Sequence, residues 1–299
     1  MPHTAFATTT RGLRRDSPPM LLFEKAKRIG IWNPSDIDFS QDKKDWPHFT
    51  EDERDAVLRL TASFAAGEEA VTLDLLPLMQ AINQLDMPEE SVYLTSFLWE
   101  EAKHADFFDR FLSEIAREEL GLDRFHLSCY KSLFYDALPT AMNALIEDRS
   151  PHAIVRAATT YNLVIEGIVA ETGYHAYFLA LDRKNLMPGT RAAISKIKQD
   201  EARHIAFGIY LLSRFISQDS SLWDVVQETM NELLTITMGM IHEMFTQYET
   251  PPFGQDESVF QNFAMGQFTK RLDRLDRARN MSLASIDELT RTVIEEDNA

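Results

Sequence analysis

Six side chains in this 299-residue sequence have the types and spacing to hold metal ions: Glu68, Glu101, His104, Glu166, Glu201 and His204. Two of the acids are followed three residues later by histidine, giving Glu101-x-x-His104 and Glu201-x-x-His204. Residues three apart are neighbours on a helix surface, so both members of each pair can reach one point. The flanking residues supply the helix. Leu94, Phe97, Glu101, His104, Phe108 and Phe111 are spaced by alternate threes and fours. So are Ile194, Ile197, Glu201, His204, Gly208, Leu211 and Phe215. Each pair therefore interrupts an apolar stripe that should face inward.

Single carboxylates interrupt two further stripes. Glu68 stands among Phe64, Val71, Leu75, Leu78 and Ile82, while Glu69 lies about 100° round the helix, towards solvent. Glu166 and Glu171 compete for the equivalent place on another helix. Glu68 precedes Glu101 by 33 residues and Glu166 precedes Glu201 by 35, whereas Glu171 would give 30. The two pairs lie 100 residues apart and share local wording, Glu-Glu-Ala-Lys-His and Asp-Glu-Ala-Arg-His. This reads as an internal duplication of one helix pair.

A single Glu-x-x-His means little, and a lone inward histidine is more often a hydrogen-bonded core residue than a ligand. Two pairs, each preceded by an inward acid in matching register, are far harder to obtain by accident. His126, His152, His175 and His242 have no such partner and read as ordinary residues. Charge balance points the same way. Four bare carboxylates in a bundle interior would be costly and would take up protons instead. Two divalent cations would neutralise them. We recognise the set, one Glu from each of two helices and Glu-x-x-His from two others, as that of ferritin-like dinuclear carboxylate proteins. Oxygen-rich ligation with two imidazoles and no thiolate favours iron or manganese. Asp200 is a candidate acceptor for a ligating histidine's free N–H; a solvated helix-surface acid is the competing reading.

Long helices must carry these side chains. Thr50 and Glu53 form a capping-box pattern ahead of a helix over 51–85, with Pro77 as an expected kink. Further helices are expected over 89–118, 130–147, 151–183, 189–217, 220–248 and 257–278. The fold class is all-α, a helical bundle with a four-helix metal-binding core plus extra helices. Residues 1–19 read as a flexible tail and 20–250 as the metal domain, in which 20–50 form an extended arm; 251–299 read as a helix and a charged tail. No glycine-rich phosphate loop and no G-x-S-x-G is present.

Composition narrows the function classes. Hydrophobic residues make up 44% and glycines number 11, which suits a packed helical globule. A net charge of −17 argues against nucleic acid and anionic lipid as partners. Cys129 is the only cysteine, so no internal disulfide is possible and a cytoplasmic location is expected. No secretory signal is expected in the first residues, and no apolar run is expected to span a membrane.

The runs WNPSDIDFSQDKKDW, AGEEAVTLDLLP, WEEAKH, TYNLVIEG and DEARHIAFGIY resemble the ligand-binding oxidases related to ribonucleotide reductase small subunits. The resemblance covers residues 20–215. It implies one manganese and one iron ion, dioxygen activation for two-electron oxidation, a bound long-chain fatty acid, a homodimer, and an ether cross-link between a valine and a tyrosine. The valine falls on Val71 and the tyrosine on Tyr161. Val71 lies one turn from Glu68 on its stripe. Tyr161, five residues before Glu166, is poorly placed by α-helical arithmetic unless the helix is π-distorted there.

Other readings share the ligand set. A reductase small subunit is the nearest, yet Phe108 stands where many carry a radical tyrosine, and no tyrosine follows Tyr248. A di-iron N- or C-oxygenase would differ only in its pocket, and an iron-storage bundle would need a multi-subunit cage.

Overall fold

The computed structural model describes residues 5–118, 120–182 and 184–296; expectations touching other residues lie outside these. Among the described residues the secondary structure is helical, without strands. The helices are α1 (Pro18–Ile29), α2 (Glu51–Gln84), α3 (Pro88–Phe111, continuing π-helical over Leu112–Ala116) and a broken helix α4 within 128–146. Then come α5 (Pro151–Leu181), α6 (Pro188–Gln218), α7 (Leu222–Phe245), α8 (Glu257–Ala278) and α9 (Leu283–Glu296).

Local chemistry sets the helix starts. Thr50 Oγ1 accepts from Glu53 N–H at 3.2 Å, and the Glu53 carboxylate accepts from Thr50 N–H at 3.0 Å, closing the expected capping box of α2. Pro88, Pro151 and Pro188 occupy the opening turns of α3, α5 and α6, where a missing N–H costs nothing. Helix α2 is assigned without a break through Pro77. The proline leaves the Leu73 carbonyl without its helical donor, and Leu73 is exposed to water.

The ligand-bearing helices α2, α3, α5 and α6 surround one apolar interior that includes Leu75, Phe97, Leu163 and Leu211. Helices α5 and α6 approach closely because position 208 is glycine: a Cβ there would lie 2.2 Å from Asn162 Cβ. By length and composition α5 would pass as a membrane span, against the expectation that no run comes near one, but 83% of its most apolar window is buried inside the protein. It is the central helix of the core.

Three segments differ from their sequence reading. The arm begins inside helix α1, and its remainder holds only short helical turns over Pro34–Asp36, Asp42–Asp45 and Trp46–His48. The expected helix over 130–147 is split into α-helical, π-helical and 3-10 turns. The charged tail forms α9, whose Ile286 and Ile294 are buried, because Leu283, Ile286, Leu289 and Val293 keep helical spacing between the acids.

The part of the arm beyond α1 is anchored by charge. Buried Asp42 accepts from Gly189 N–H at 2.9 Å, Thr190 N–H at 2.6 Å and Thr190 Oγ1 at 2.7 Å, and Asp45 accepts from Met187 N–H at 2.8 Å. Two carboxylates thus satisfy the unpaired amides at the start of α6, where the helix dipole favours negative charge. Near the N-terminus, Arg11 and Arg14 both pair with buried Glu89.

Candidate metal centre

All six expected side chains converge at the middle of the four helices, and all are buried. Their donor atoms form two groups, Glu68, Glu101, His104 and Glu201, and Glu101, Glu166, Glu201 and His204, each within 4.8 Å of one another. Glu101 and Glu201 belong to both. Glu101 Oε2 lies 3.7 Å from His104 Nδ1 and its Oε1 lies 3.1 Å from His204 Nδ1. Glu201 spans the same gap, with Oε1 3.3 Å from His104 Nδ1 and Oε2 3.2 Å from His204 Nδ1. Glu68 approaches only His104, at 3.5 Å, and Glu166 only His204, at 3.7 Å. Glu171 is partly exposed and Glu69 exposed, which decides both competitions raised by the sequence.

Each histidine turns Nδ1 to the carboxylates and Nε2 outward. His104 Nε2 meets Asp200 Oδ2 at 3.2 Å, and His204 Nε2 meets Glu100 Oε2 at 2.9 Å. With Nε2–H donating to these acids, Nδ1 is the atom of each ring left to meet a metal ion at the centre. Asp200 is fully buried and also accepts from Trp32 Nε1 at 2.8 Å and Lys103 Nζ at 2.9 Å, so it is no surface acid. Glu100 accepts from Arg203 at 2.5 Å, and Arg203 also contacts Asp200. Two acids and two cations thus form a neutral belt outside the cluster.

The sequence reading missed Glu100, Lys103, Arg203 and Trp32. The repeat held a signal for three of them: Glu100 stands to Glu101 as Asp200 stands to Glu201, and Lys103 stands to His104 as Arg203 to His204. The reading also missed Tyr174, whose hydroxyl lies 3.1 Å from Glu201 Oε1 and 3.4 Å from Glu68 Oε1. The remaining expected residues occupy ordinary places. His126 Nδ1 meets Tyr135 at 2.8 Å, His175 stacks on Phe263 at 4.3 Å, and His242 meets Glu257 at 3.1 Å. His152 is exposed.

The donor set fits metal ions better than it fits its own hydrogen bonds. Both oxygens of Glu101, Oε2 of Glu166 and Nδ1 of His104 are buried without a hydrogen-bond partner. Such atoms are costly unless a ligand completes them. Titration points the same way. Burial raises Glu166 well above its ordinary value and Glu68 to about 8. Burial works against charge on His104 and His204 too, but the surrounding carboxylates outweigh it and hold both well above theirs. Burial and Glu201 would raise Glu101, yet the imidazoles keep it lowered. Burial also acts to raise Glu201, but a hydrogen bond with Glu166 and the two imidazoles hold it well below its ordinary value. Without cations the cluster approaches neutrality by holding protons, which metal ions would displace.

Val71 and Tyr161 come together beside this centre. The Tyr161 hydroxyl donates to the Val71 carbonyl at 3.2 Å, and both residues are buried. The distortion that the sequence required is present: α5 is π-helical over Thr159–Ala170. Residues five apart are hydrogen-bonded neighbours along a π-helix, which brings Tyr161 and Glu166 to the same side. The Tyr161 ring packs edge-on against Phe97 at 5.8 Å, and Phe97 stacks on His204 at 3.7 Å. Phe108, at the radical-tyrosine position, stacks on Phe64 at 5.1 Å.

A cavity of about 200 Å³ adjoins the centre. Glu68, Glu166, Glu201 and Val71 line its inner end, and Tyr248 and Pro251–Phe253 its outer end. Between them the wall is mostly apolar, and among the described residues it includes no Lys, Arg or His.

Comparison with known proteins relates the whole chain to a family. The family model for the ribonucleotide reductase small chain matches residues 19–276. An R2-like ligand-binding oxidase with aerobically reconstituted Mn/Fe cofactor is 37% identical, covering 92% of this chain and 98% of its own, with a TM-score of 0.87. A valine-to-alanine variant of an R2-like ligand-binding oxidase, with anaerobically reconstituted Mn/Fe cofactor, is 38% identical over 91% and 98%, with a TM-score of 0.86. A tyrosine-to-phenylalanine variant with aerobically reconstituted Mn/Fe cofactor is 37% identical over 92% and 99%, with a TM-score of 0.88.

Proposed function

The chain belongs to the ribonucleotide reductase small-chain family, and from that premise we propose that it is a manganese/iron oxidase that activates dioxygen. One observation carries the reading. The two overlapping donor groups leave buried ligand atoms unpartnered, in a chain similar over nine-tenths of its length to oxidases with an Mn/Fe cofactor. Glu68, Glu101 and His104 would hold one ion, Glu166, Glu201 and His204 the other, with Glu101 and Glu201 shared. When bound, the two ions supply the redox chemistry that reduces dioxygen.

The protein's own groups shape that reaction. The acids around His104 and His204 fix both rings, and the apolar walls keep water from the reacting region. Tyr161 stays a neutral phenol, because burial raises it well above its ordinary value. Its O–H and an aliphatic C–H of Val71 are the bonds that an ether cross-link would break. Forming the C–O bond releases two protons and two electrons, which dioxygen accepts.

A long-chain fatty acid or similar lipid suits the cavity. Its wall supplies no cation to an acidic head, and the acids at the inner end would repel such a head unless cations fill the cluster. That favours head inward and tail outward. A homodimer and a cytoplasmic location complete the proposal, and sedimentation at working concentration tests the dimer.

Intact mass is the main test. Reduced protein loaded with manganese and iron should become lighter by two hydrogens on exposure to oxygen, and Tyr161→Phe should not. An unchanged wild-type mass, or a loss that persists in the variant, would refute the cross-link. Organic extraction followed by mass spectrometry tests the lipid.

A further inference from the structure

A strained residue stands at the outer end of the cavity. Phe253 has φ +58° and ψ 12°, a left-handed conformation that a bulky residue rarely adopts. Such a conformation persists only where surrounding contacts hold it. Three residues supply that hold. The Phe253 ring meets the Phe49 ring edge-on at 5.7 Å, and Lys184 Nζ lies 5.1 Å above its face. Lys184 is itself held by Glu53 at 2.5 Å. Phe253 is half-buried and lines the cavity, so one side of it faces the apolar space and the other faces solvent.

The backbone around it is a single short turn over Pro252–Gly254. Pro251 and Pro252 stiffen the approach, since each ring fixes its own φ. Gly254, at φ +61°, is exposed, and a Cβ there would meet nothing within 4 Å. Beyond it, Asp256 fastens the start of α8 by accepting from Ser258 N–H at 2.8 Å. Gln255 N–H donates to the Pro252 carbonyl at 3.3 Å and closes the turn over residues 253 and 254, so the segment moves there only when that one bond opens. The seat is held by the ring of Phe253 against the preference of its backbone, so withdrawing the ring relieves strain as it widens the cavity mouth.

We propose that Phe253 is the gate through which an apolar ligand enters and leaves the cavity beside Glu68 and Val71. The inference rests on the reading of that cavity as a ligand site. It makes Phe253 a determinant of exchange rate, leaving affinity to the deeper wall.

The test uses full-length, metal-loaded protein stripped of lipid, and a fluorescent conjugated-polyene fatty acid. Equilibrium titration comes first, then stopped-flow uptake and displacement. Phe253→Gly removes the ring and suits the left-handed backbone, so its melting temperature should not fall. Phe253→Ala removes the ring only, and Lys184→Met removes the cation above it. The glycine and alanine variants should speed uptake and release together, by about tenfold, with unchanged affinity; Lys184→Met should do so to a smaller degree. Unaltered rates would overturn the gate while leaving the ligand site standing, and so would weaker binding with unaltered uptake. If the wild type binds no probe at equilibrium, the ligand reading fails and the gate fails with it.

Discussion

His204 gives its Nε2–H to Glu100 at 2.9 Å, the acid that directly precedes a ligand of the opposite repeat. His104 reciprocates with Asp200, which precedes Glu201. Each half of the duplication therefore orients the other's imidazole. Glu100→Gln keeps the shape but removes the charge that holds the ring. It should weaken the ion at His204 by about 10- to 100-fold, with a smaller effect at His104. Competition with a fluorescent chelator would measure this, and equal losses at both ions would contradict it.

Metal stoichiometry should separate the acids. Glu101→Ala and Glu201→Ala each remove a residue common to both donor groups and should lose both ions. Glu68→Ala and Glu166→Ala each touch one group and should retain one ion. Inductively coupled plasma mass spectrometry of the purified variants reads the count directly.

The metal-free protein should lose stability as pH rises. Glu68 is raised from 4.5 to about 8, so its contribution is complete below 4.5 and is lost as pH climbs through 8. The histidines, raised above 6.5, act in the same direction. Glu101 and Glu201 are lowered, so theirs is present above 4.5 and lost only in acid. The melting temperature of chelator-treated protein should fall by about 5 °C or more between about pH 5 and pH 9. The metal-loaded form should hold steady, because proton loss strengthens ligation. A flat curve for the metal-free protein would remove the electrostatic account.

Gly208→Ala should destabilise the protein by about 1–3 kcal/mol or more. The new methyl would lie 2.2 Å from Asn162 Cβ and would wedge α5 from α6. Thermal unfolding of the metal-free form checks this apart from any effect on ligation.

The centre was legible in the sequence because it breaks a rule twice in matching register: acids and histidines stand where apolar residues belong. That repetition picked out the six side chains that the structure brings together and preferred Glu166 over Glu171. Which acids are shared was not legible, since bridging depends on how the helices face one another. Tyr174 escaped because the π-helical stretch before it shifts every later residue round the axis. Asp42 and Asp45 escaped because caps contributed from 148 and 142 residues away leave no local pattern. Helix α9 was read as a tail because its acids dilute an apolar stripe that was there to be found.

The clasp of Asp42 on Gly189 and Thr190 has a kinetic side. It joins positions 147 and 148 apart in sequence, and it seats the helix that carries Glu201 and His204. During synthesis the arm emerges long before its partner, and closing so large a loop is slow. The bundle can collapse first, but the helix that this clasp seats carries two of the six ligands. Competence to take up metal should therefore arrive late in folding, after most of the helical signal has formed.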